Sequence, residues 1–257
     1  MRITDETGSE YQEDIAKMLR WEFSWYDAGA ATLRSARACL RAAEIARTFR
    51  KARSQLSRPI LKDPIALLSA EWLADTFGMD VVVLIRHPAA FASSVTRLGW
   101  RFDFNNFLSQ PSLMTSDLAP FATEIECAAR RPPDPLAEAS LLWKCLYRIV
   151  DRYVTQRPDW MFVRHEDLSL DPARGFRAVC EYSGIAFSGS VAETLRRNTS
   201  TENPVEAPAG AAHFLMRDSR ANASAWHRRL DPREIAAVRA SVEEVSCRFY
   251  SEAEWPD

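Results

Sequence analysis

The sequence predicts an α/β domain with a parallel sheet, and two observations carry this prediction. Residues 81–85, Val-Val-Val-Leu-Ile, form an unbroken apolar run, which is typical of a strand covered by helices on both faces. Strand-like and helix-like patterns also alternate along the chain, from a short strand at 59–62 through a helix at 65–77 to the strand at 81 and a helix from 88. This alternation is typical of parallel strands joined by crossover helices.

The remaining elements follow from local signals. Residues 31–56 are rich in Ala, Leu and Arg and predict a long helix, and Gly78 is placed to end the helix at 65–77. Apolar spacing predicts another long helix at 135–156. Further predicted elements are a short helix and aromatic-rich turn within 10–26, an irregular segment at 100–133, a strand at 160–163, a helix at 172–183, an exposed loop at 196–212, and a helix from 231 to about 250 that opens with a capping box.

Composition excludes several classes of function. The 257 residues are 47% hydrophobic and 26% charged, which suits one globular domain with a sizeable core. A net charge of −2 gives no field that would recruit nucleic acid or an anionic membrane. Five Cys and four His are scattered without a Cys-x-x-Cys pair, so we expect neither a disulfide framework nor a metal site. No apolar run approaches the roughly 18 residues of a membrane span, and the polar first residues do not predict a signal peptide, so we expect a cytoplasmic protein.

Arg86 lies at the junction between the strand at 81–85 and the next helix, which Pro88 opens. Ligands bind at this carboxyl edge of open α/β sheets. A guanidinium suits phosphate or sulfate, the helix start adds partial positive charge, and Ser94, eight positions on, adds a hydroxyl. The pattern therefore predicts an anion site. The alternative is a surface arginine at a strand end and a solvated helix serine.

Residues 86–94, Arg-His-Pro-Ala-Ala-Phe-Ala-Ser-Ser, resemble the 3′-phosphate-binding segment of sulfotransferases. These enzymes transfer a sulfuryl group from the nucleotide PAPS to a hydroxyl or an amine. Two further segments fit in the family's order, Leu-Lys-Asp-Pro at 61–64 and Val-Arg-His-Glu-Asp-Leu at 163–168. Similarity extends loosely to the region of Trp226, so the resemblance covers most of the chain.

The resemblance implies a fold and a set of ligand contacts. The implied fold is the three-layer α/β/α, P-loop-NTPase-like sulfotransferase fold, with PAPS as the donor and no metal. Arg86 and Ser94 match the family residues that hold the nucleotide's 3′-phosphate. A late loop of the family folds over the nucleotide, which makes Arg217, Ser219 and Arg220 candidate phosphate contacts.

One part of the family pattern is missing from the sequence. Sulfotransferases hold the 5′-phosphosulfate with a glycine-containing loop after the first strand, and the chain contains neither Gly-x-x-x-x-Gly-Lys-[Ser/Thr] nor Pro-[Lys/Arg]-Ser-Gly-Thr. We therefore expect one sulfotransferase-like domain over residues 1–257 that is incomplete at its N-terminus, lacking the first strand and loop. Either the gene product is truncated, or the domain is a remnant. A nucleotide kinase is disfavoured because its Lys-bearing loop is also absent.

The catalytic assignment follows from position at a strand end. Lys62 falls where the family carries basic or acid–base residues and is the candidate for stabilising the transferring group, with Asp63 as the candidate base. Glu22, near the aromatic turn, is an alternative base. The structural alternatives are a solvated Lys62, a helix-capping Asp63 and a surface Glu22. We expect Asp167 to order the turn after its strand.

Two functions remain open from the sequence. The first is sulfuryl transfer from PAPS to a hydroxyl or amine of a carbohydrate or small molecule. The second is a non-catalytic or truncated protein of the same fold that binds a nucleotide 3′-phosphate or a protein partner. Arg34, Arg37 and Arg41 share one helix face, which either receives an anionic acceptor or is simply solvated. The expected partners include neither nucleic acid nor an integral membrane segment, and the oligomeric state is open.

Overall fold

The computed structural model describes residues 2–23, 35–62, 65–208 and 214–256. The chain divides into two compact units, Arg2–Met79 and Asp80–Asp257. The described residues are mostly helical and carry one sheet of two parallel strands, so the α/β prediction is confirmed in that coarser form. The single incomplete domain over residues 1–257 stays a prediction.

The N-terminal unit is built from helices in its described part. They are α1 (Ser9–Leu19), α2 (Ala36–Ser54) and α3 (Ala70–Phe77), with a 3-10 turn at Ile65–Ser69. Ser35 caps α2 by accepting a hydrogen bond from the Ala38 N–H. Gly78 ends α3 at φ 61°, in the left-handed conformation that favours glycine, as predicted. The start of the predicted helix at 31–56, including Arg34, lies outside the described residues, whereas Arg37 and Arg41 are exposed.

An aromatic cluster holds the end of α1 against α2. The Trp21 indole donates a hydrogen bond to the Ser57 carbonyl at 2.6 Å. The rings of Trp21 and Phe23 both meet Phe49 of α2 edge-on, with centroids 5.4 and 6.2 Å apart, a favourable geometry for aromatic pairs. The predicted helix with an aromatic turn therefore agrees with the structure as far as Phe23.

The predicted strand at 59–62 is wrong. These residues have no regular secondary structure, and Ile60 and Leu61 are exposed. Pro59 lacks a backbone N–H, so it cannot donate to a neighbouring strand. Two apolar residues after a proline are too short a run to decide between a strand and an extended loop.

The C-terminal unit, Asp80–Asp257, contains the two strands and a series of helices. The strands are β1 (Val82–Ile85) and β2 (Met161–Arg164). The helices are α4 (Pro88–Arg97), α5 (Asn105–Leu108), α6 (Pro111–Thr115), α7 (Ala122–Arg130), α8 (Pro135–Gln156), α9 (His165–Leu170), α10 (Pro172–Tyr182), α11 (Gly189–Thr199), α12 (Ser219–Ala223), α13 (Trp226–Arg229) and α14 (Pro232–Ser246), with 3-10 turns at Ala119–Phe121 and Glu252–Glu254.

The two strands pair in parallel, from Val82 opposite Met161 to Ile85 opposite Arg164. Both strands therefore end at the same edge of the sheet. The expectation that β1 is covered on both faces is wrong, because Val83 and Ile85 are buried whereas Leu84 is 51% exposed. An unbroken apolar run does not by itself distinguish a strand buried on one face from one buried on both.

Helix α8 is the centre of the C-terminal unit and packs against α4 and α14. It begins and ends where the sequence predicts, at Pro135 and Gln156. Asp134 caps it by accepting hydrogen bonds from two backbone N–H groups of the first turn. Both α8 and α14 carry side chains that are almost fully buried; they are Trp143, Ile149, Val150 and Tyr153 of α8 and Val238 and Val242 of α14. The predicted capping box of α14, Asp231 with Glu234, is present.

Other predicted segments agree in part. Short helices interrupt the segment predicted to be irregular, 100–133, and α11 covers the start of the predicted loop at 196–212. Within the described residues, no helix combines the length and the apolar character that crossing a membrane requires. The cytoplasmic location stays a prediction.

Candidate anion-binding site

A cavity of about 330 Å³ lies in the C-terminal unit at the edge where both strands end. Its lining includes four arginines and no carboxylate among the described residues. The lining residues are Arg86, Ser94, Arg97, His165, Ser169, Asn198, Thr199, Phe214, Leu215, Arg217, Ser219, Asn222 and Arg229. A concave site of this size lined by guanidinium and hydroxyl groups can bind an anion.

Helix α8 fixes the backbone of Arg86 on both sides. The Arg86 N–H donates a hydrogen bond to the Tyr147 hydroxyl at 2.5 Å, and the Trp143 indole donates to the Arg86 carbonyl at 2.9 Å. Trp143 and Tyr147 are one helical turn apart, and their rings stack with centroids 3.9 Å apart. Burial and the neighbouring Glu166 charge raise the pKa of Tyr147, so its hydroxyl is neutral. Because both polar backbone groups of Arg86 are held, the direction in which its side chain leaves the strand is set.

Glu166 holds the residue after Arg86. Its carboxylate accepts hydrogen bonds from the His87 N–H and from the Tyr250 hydroxyl, each at 3.0 Å. Glu166 belongs to the segment 163–168 that resembles sulfotransferases, and its structural partner here is the segment 86–94. The contact therefore joins two of the segments that carry the resemblance.

The Arg86 side chain is partly buried and is not neutralised by a direct ion pair within the described part of the chain. Its Nε is buried and has no hydrogen-bond partner there. Desolvation lowers the pKa of Arg86 from its ordinary value, and Glu166 opposes this shift by its charge. The group stays protonated, because arginine ionises so far above neutral pH. An anion that pairs with this partly buried cation therefore removes the cost of leaving its donor unpaired.

Ser94 joins Arg86 in the cavity through helix α4. His87 caps this helix by accepting a hydrogen bond from the Ala89 N–H through Nδ1 at 3.3 Å, and Pro88 occupies the first turn. Ser94 and Arg97 line the cavity together because residues three apart share a helix face. The neighbouring Ser93 faces away, is 3% exposed and does not line the cavity.

Part of the cavity wall comes from residues 198–199 and 214–222. The Arg217 N–H donates to the Asn198 carbonyl at 2.9 Å, and the Ser219 hydroxyl donates to the Ser169 carbonyl at 2.8 Å. These bonds hold the wall to the end of α11 and to α9. Arg217 and Ser219 therefore lie in the same cavity as Arg86 and Ser94.

Sequence reasoning missed Arg97 and Arg229. Their side chains line the cavity, and both form ion pairs with Glu206. The spacing of Ser94 and Arg97 on one helix face was a signal that pointed to Arg97. Arg229 lies in a run, His-Arg-Arg at 227–229, that contains nothing to single it out.

His165 adds a neutral imidazole to the cavity. Desolvation lowers its pKa, and the positive charge of Arg86 lowers it further. Its Nδ1 lies 3.5 Å from the Ser169 hydroxyl. At neutral pH the ring therefore offers hydrogen bonding without adding charge.

The burial of His87 predicts how the free energy of unfolding depends on pH. Its ring stacks on Trp226 with centroids 4.7 Å apart and also meets Tyr250 and Trp255. This burial lowers the pKa of His87 to about 3, with Glu254 opposing the shift and His227 and Arg164 adding to it. The unfolded chain, with an imidazole pKa of about 6.5, binds a proton that the folded chain does not. Stability from this group is therefore fully present above about pH 6.5 and is lost as the pH falls towards 3.

We expect the free energy of unfolding to fall more steeply with acid in the wild type than in His87→Asn, which keeps a capping acceptor but does not titrate. Between pH 7.5 and 5.0 the free energy of unfolding should fall by about 2 kcal/mol more in the wild type than in His87→Asn. Urea unfolding at both pH values measures it. Parallel pH profiles would show that His87 is not the titrating group.

The lining of this cavity does not include the other predicted site residues that the structure describes. Lys62 is exposed in the N-terminal unit, and Asp63 lies outside the described residues. Arg220 does not line the cavity of Arg86; its guanidinium donates to the Leu170 carbonyl at 2.8 Å and borders a second cavity of about 430 Å³. Glu22 pairs with Arg20. Among the described residues, no group of three or more His, Cys, Asp or Glu side chains is arranged to hold a metal ion.

Comparisons with known proteins indicate a similarity to sulfotransferases. No protein-family model matches the chain. A solved structure, the sulfotransferase domain from the curacin biosynthetic pathway, superposes over 93% of this chain and 82% of its own with a TM-score of 0.47 and 13% identity. Carbohydrate sulfotransferase 1 of Danio rerio is 34% identical over 79 residues. The resemblance to sulfotransferases is confirmed. The match covers 29% of this chain and 18% of the length of that relative.

Proposed function

We propose that the cavity at Arg86 binds the 3′-phosphate of PAPS, and that the protein is a sulfotransferase acting on a hydroxyl or amine of a carbohydrate or small molecule. The observation that carries the proposal is Arg86, whose backbone is hydrogen-bonded to α8 and whose side chain lines a cavity together with Ser94. Among the described residues, the lining contains four arginines and no carboxylate. The similarity to a carbohydrate sulfotransferase supports the reaction class and the carbohydrate acceptor.

The donor set fits a phosphate group. A phosphate presents oxygens that accept several hydrogen bonds at once, and arginine matches that geometry with two parallel donors. Arg86 and Arg217 supply cationic donors and the Ser94 hydroxyl supplies a neutral donor around one cavity. The Ser219 hydroxyl also lines the cavity, but its proton is donated to the Ser169 carbonyl. Its volume of about 330 Å³ lies at the lower end of the range of roughly 300–1,000 Å³ for small-molecule sites.

The chain's own part in the reaction is to hold the nucleotide and stabilise charge. PAPS supplies the sulfuryl group. We assign to Lys62 the stabilisation of the transferring group and to Asp63 the removal of the acceptor's proton, as the family pattern implies. We also infer that the two-stranded sheet is part of the three-layer, P-loop-NTPase-like arrangement of sulfotransferases.

A second candidate function is binding of the 3′-phosphate without sulfuryl transfer, which the missing donor-loop motif favours. Two measurements on the same preparation separate the candidates. Adenosine 3′,5′-bisphosphate should raise the melting temperature, whereas adenosine 5′-monophosphate should not. Incubation with ³⁵S-labelled PAPS and a carbohydrate panel then reports transfer. Stabilisation without transfer selects the binding function, and no stabilisation by the bisphosphate refutes both.

Ser94 offers a local test of the phosphate site. We expect Ser94→Ala to bind adenosine 3′,5′-bisphosphate about tenfold more weakly, because one hydrogen bond to a charged group is lost. Stability without ligand should change little. The matched control is Ser93→Ala on the same helix, whose hydroxyl is buried without a hydrogen-bond partner among the described residues and faces away from the cavity. Calorimetric titration measures both variants, and equal affinities would remove Ser94 from the site.

A further inference from the structure

We propose that Arg97 and Arg229 form an anion subsite that Glu206 fills with its own carboxylate, and that a phosphate or sulfate group of the ligand takes its place on binding. Glu206 would then set the affinity of the cavity by competing with the ligand. This inference rests on the proposed function, because it concerns the same cavity, and it adds a residue that the resemblance does not single out.

The contacts of Glu206 place one carboxylate between two arginines of the cavity. Its Oε1 accepts hydrogen bonds from Arg229, with the Nε at 3.0 Å and Nη2 also in contact. Its Oε2 lies 3.6 Å from Nη2 of Arg97. Both arginines line the cavity and Glu206 does not. The carboxylate therefore holds the two guanidinium groups from outside the cavity lining.

The hydrogen-bonding capacity of the Glu206 carboxylate is used only in part. Its Oε2 is buried and accepts no hydrogen bond among the described residues, since 3.6 Å exceeds hydrogen-bonding distance. The Arg97 and Glu206 side chains are 37% and 42% exposed, and ion pairs as exposed as this contribute little to stability. A phosphate or sulfate offers more acceptor oxygens and more charge than this carboxylate, so exchange is favoured.

The exchange requires a side chain to move and not the backbone around it. The Asn222 side-chain amide donates to the Val205 carbonyl at 2.8 Å, and the Asp218 N–H donates to the Pro204 carbonyl at 3.1 Å. These bonds fix the chain on the N-terminal side of Glu206. Its side chain can rotate into solvent while Arg97 and Arg229 stay at the cavity wall.

The charges explain why this competition matters. Without Glu206 the cavity would present four cations, and with it two of the four are shared with an internal anion. The competitor keeps the empty cavity from holding weakly bound anions of the medium. A ligand with further contacts, such as a nucleotide, overcomes it, so Glu206 acts as a specificity-determining residue.

The test compares Glu206→Gln with Glu202→Gln, which removes the same charge from the same segment. Glu202 is exposed and forms no ion pair with Arg97 or Arg229. Calorimetric titration at fixed ionic strength uses adenosine 3′,5′-bisphosphate and inorganic sulfate. We expect Glu206→Gln to bind both probes about tenfold more tightly than the wild type, and Glu202→Gln to match the wild type.

The outcomes separate this inference from the proposed function. If the bisphosphate binds the wild type and Glu206→Gln binds it no more tightly, the subsite is refuted and the function stands. If the bisphosphate binds neither protein, the function is refuted, and tighter sulfate binding by Glu206→Gln would still support the subsite while equal binding would refute it. Should Glu206→Gln fail to fold, Arg97→Gln decides: it must bind the bisphosphate several-fold more weakly, and unchanged affinity refutes the subsite.

Discussion

Replacing Arg86 with methionine should strongly weaken nucleotide binding while leaving the ligand-free protein at least as stable as the wild type. Methionine fills a similar volume without charge. Loss of the guanidinium removes charge-assisted hydrogen bonds to the phosphate, so the affinity for adenosine 3′,5′-bisphosphate should fall by at least about 100-fold. The buried cation, whose pKa is lowered by desolvation, is a cost to the empty protein that methionine relieves.

The measurement is thermal unfolding with and without the bisphosphate, together with calorimetric titration. Arg174→Met is the matched control, because Arg174 is exposed on α10 and lies outside the lining of the cavity. The control should keep the full ligand-induced shift. A variant at Arg86 that loses stability but keeps the shift would mean that Arg86 is a structural arginine and not a ligand contact.

Removing the Glu166 carboxylate should cause a large loss of stability. Glu166→Ala leaves the His87 N–H and the Tyr250 hydroxyl without their acceptor. Two hydrogen bonds to a charged group are lost from a partly buried position, so we expect the free energy of unfolding to fall by about 3 kcal/mol or more. Glu166→Gln retains one acceptor oxygen and should lose roughly half as much.

The next residue provides the control. Asp167, which the sequence predicts to order this turn, is exposed, so Asp167→Ala should change the free energy of unfolding by no more than about 0.5 kcal/mol. Urea unfolding of the three variants gives the comparison. Equal losses at positions 166 and 167 would show that the turn, and not the Glu166 network, limits stability.

The sequence was informative wherever a short stretch of chain determines the structure. The junction of β1 and α4 was visible because an apolar run meets Arg86 and Pro88, and α8 was visible because Asp134 and Pro135 mark its start. The same local signals placed Ser94 on α4, the helix that directly follows Arg86.

The parts that the sequence did not reveal depend on contacts between distant residues. Trp143 and Tyr147 bind Arg86 across 57 and 61 positions, and Glu206 meets Arg229 across 23. No periodicity encodes such pairs. Exposure of Leu84 and the absence of a strand at 59–62 have a similar cause, because an apolar run does not tell which neighbours will cover it.

The stacked Trp143 and Tyr147 also determine at which stage the backbone of Arg86 becomes fixed. They belong to α8, half of whose residues are buried, so Arg86 becomes fixed as that helix packs. The loss of backbone freedom at Arg86 thus occurs during folding and not during ligand capture. Amide exchange at Arg86 should then be as slow as in the core of α8, and association should be limited by the ligand's arrival and not by rearrangement of this strand end.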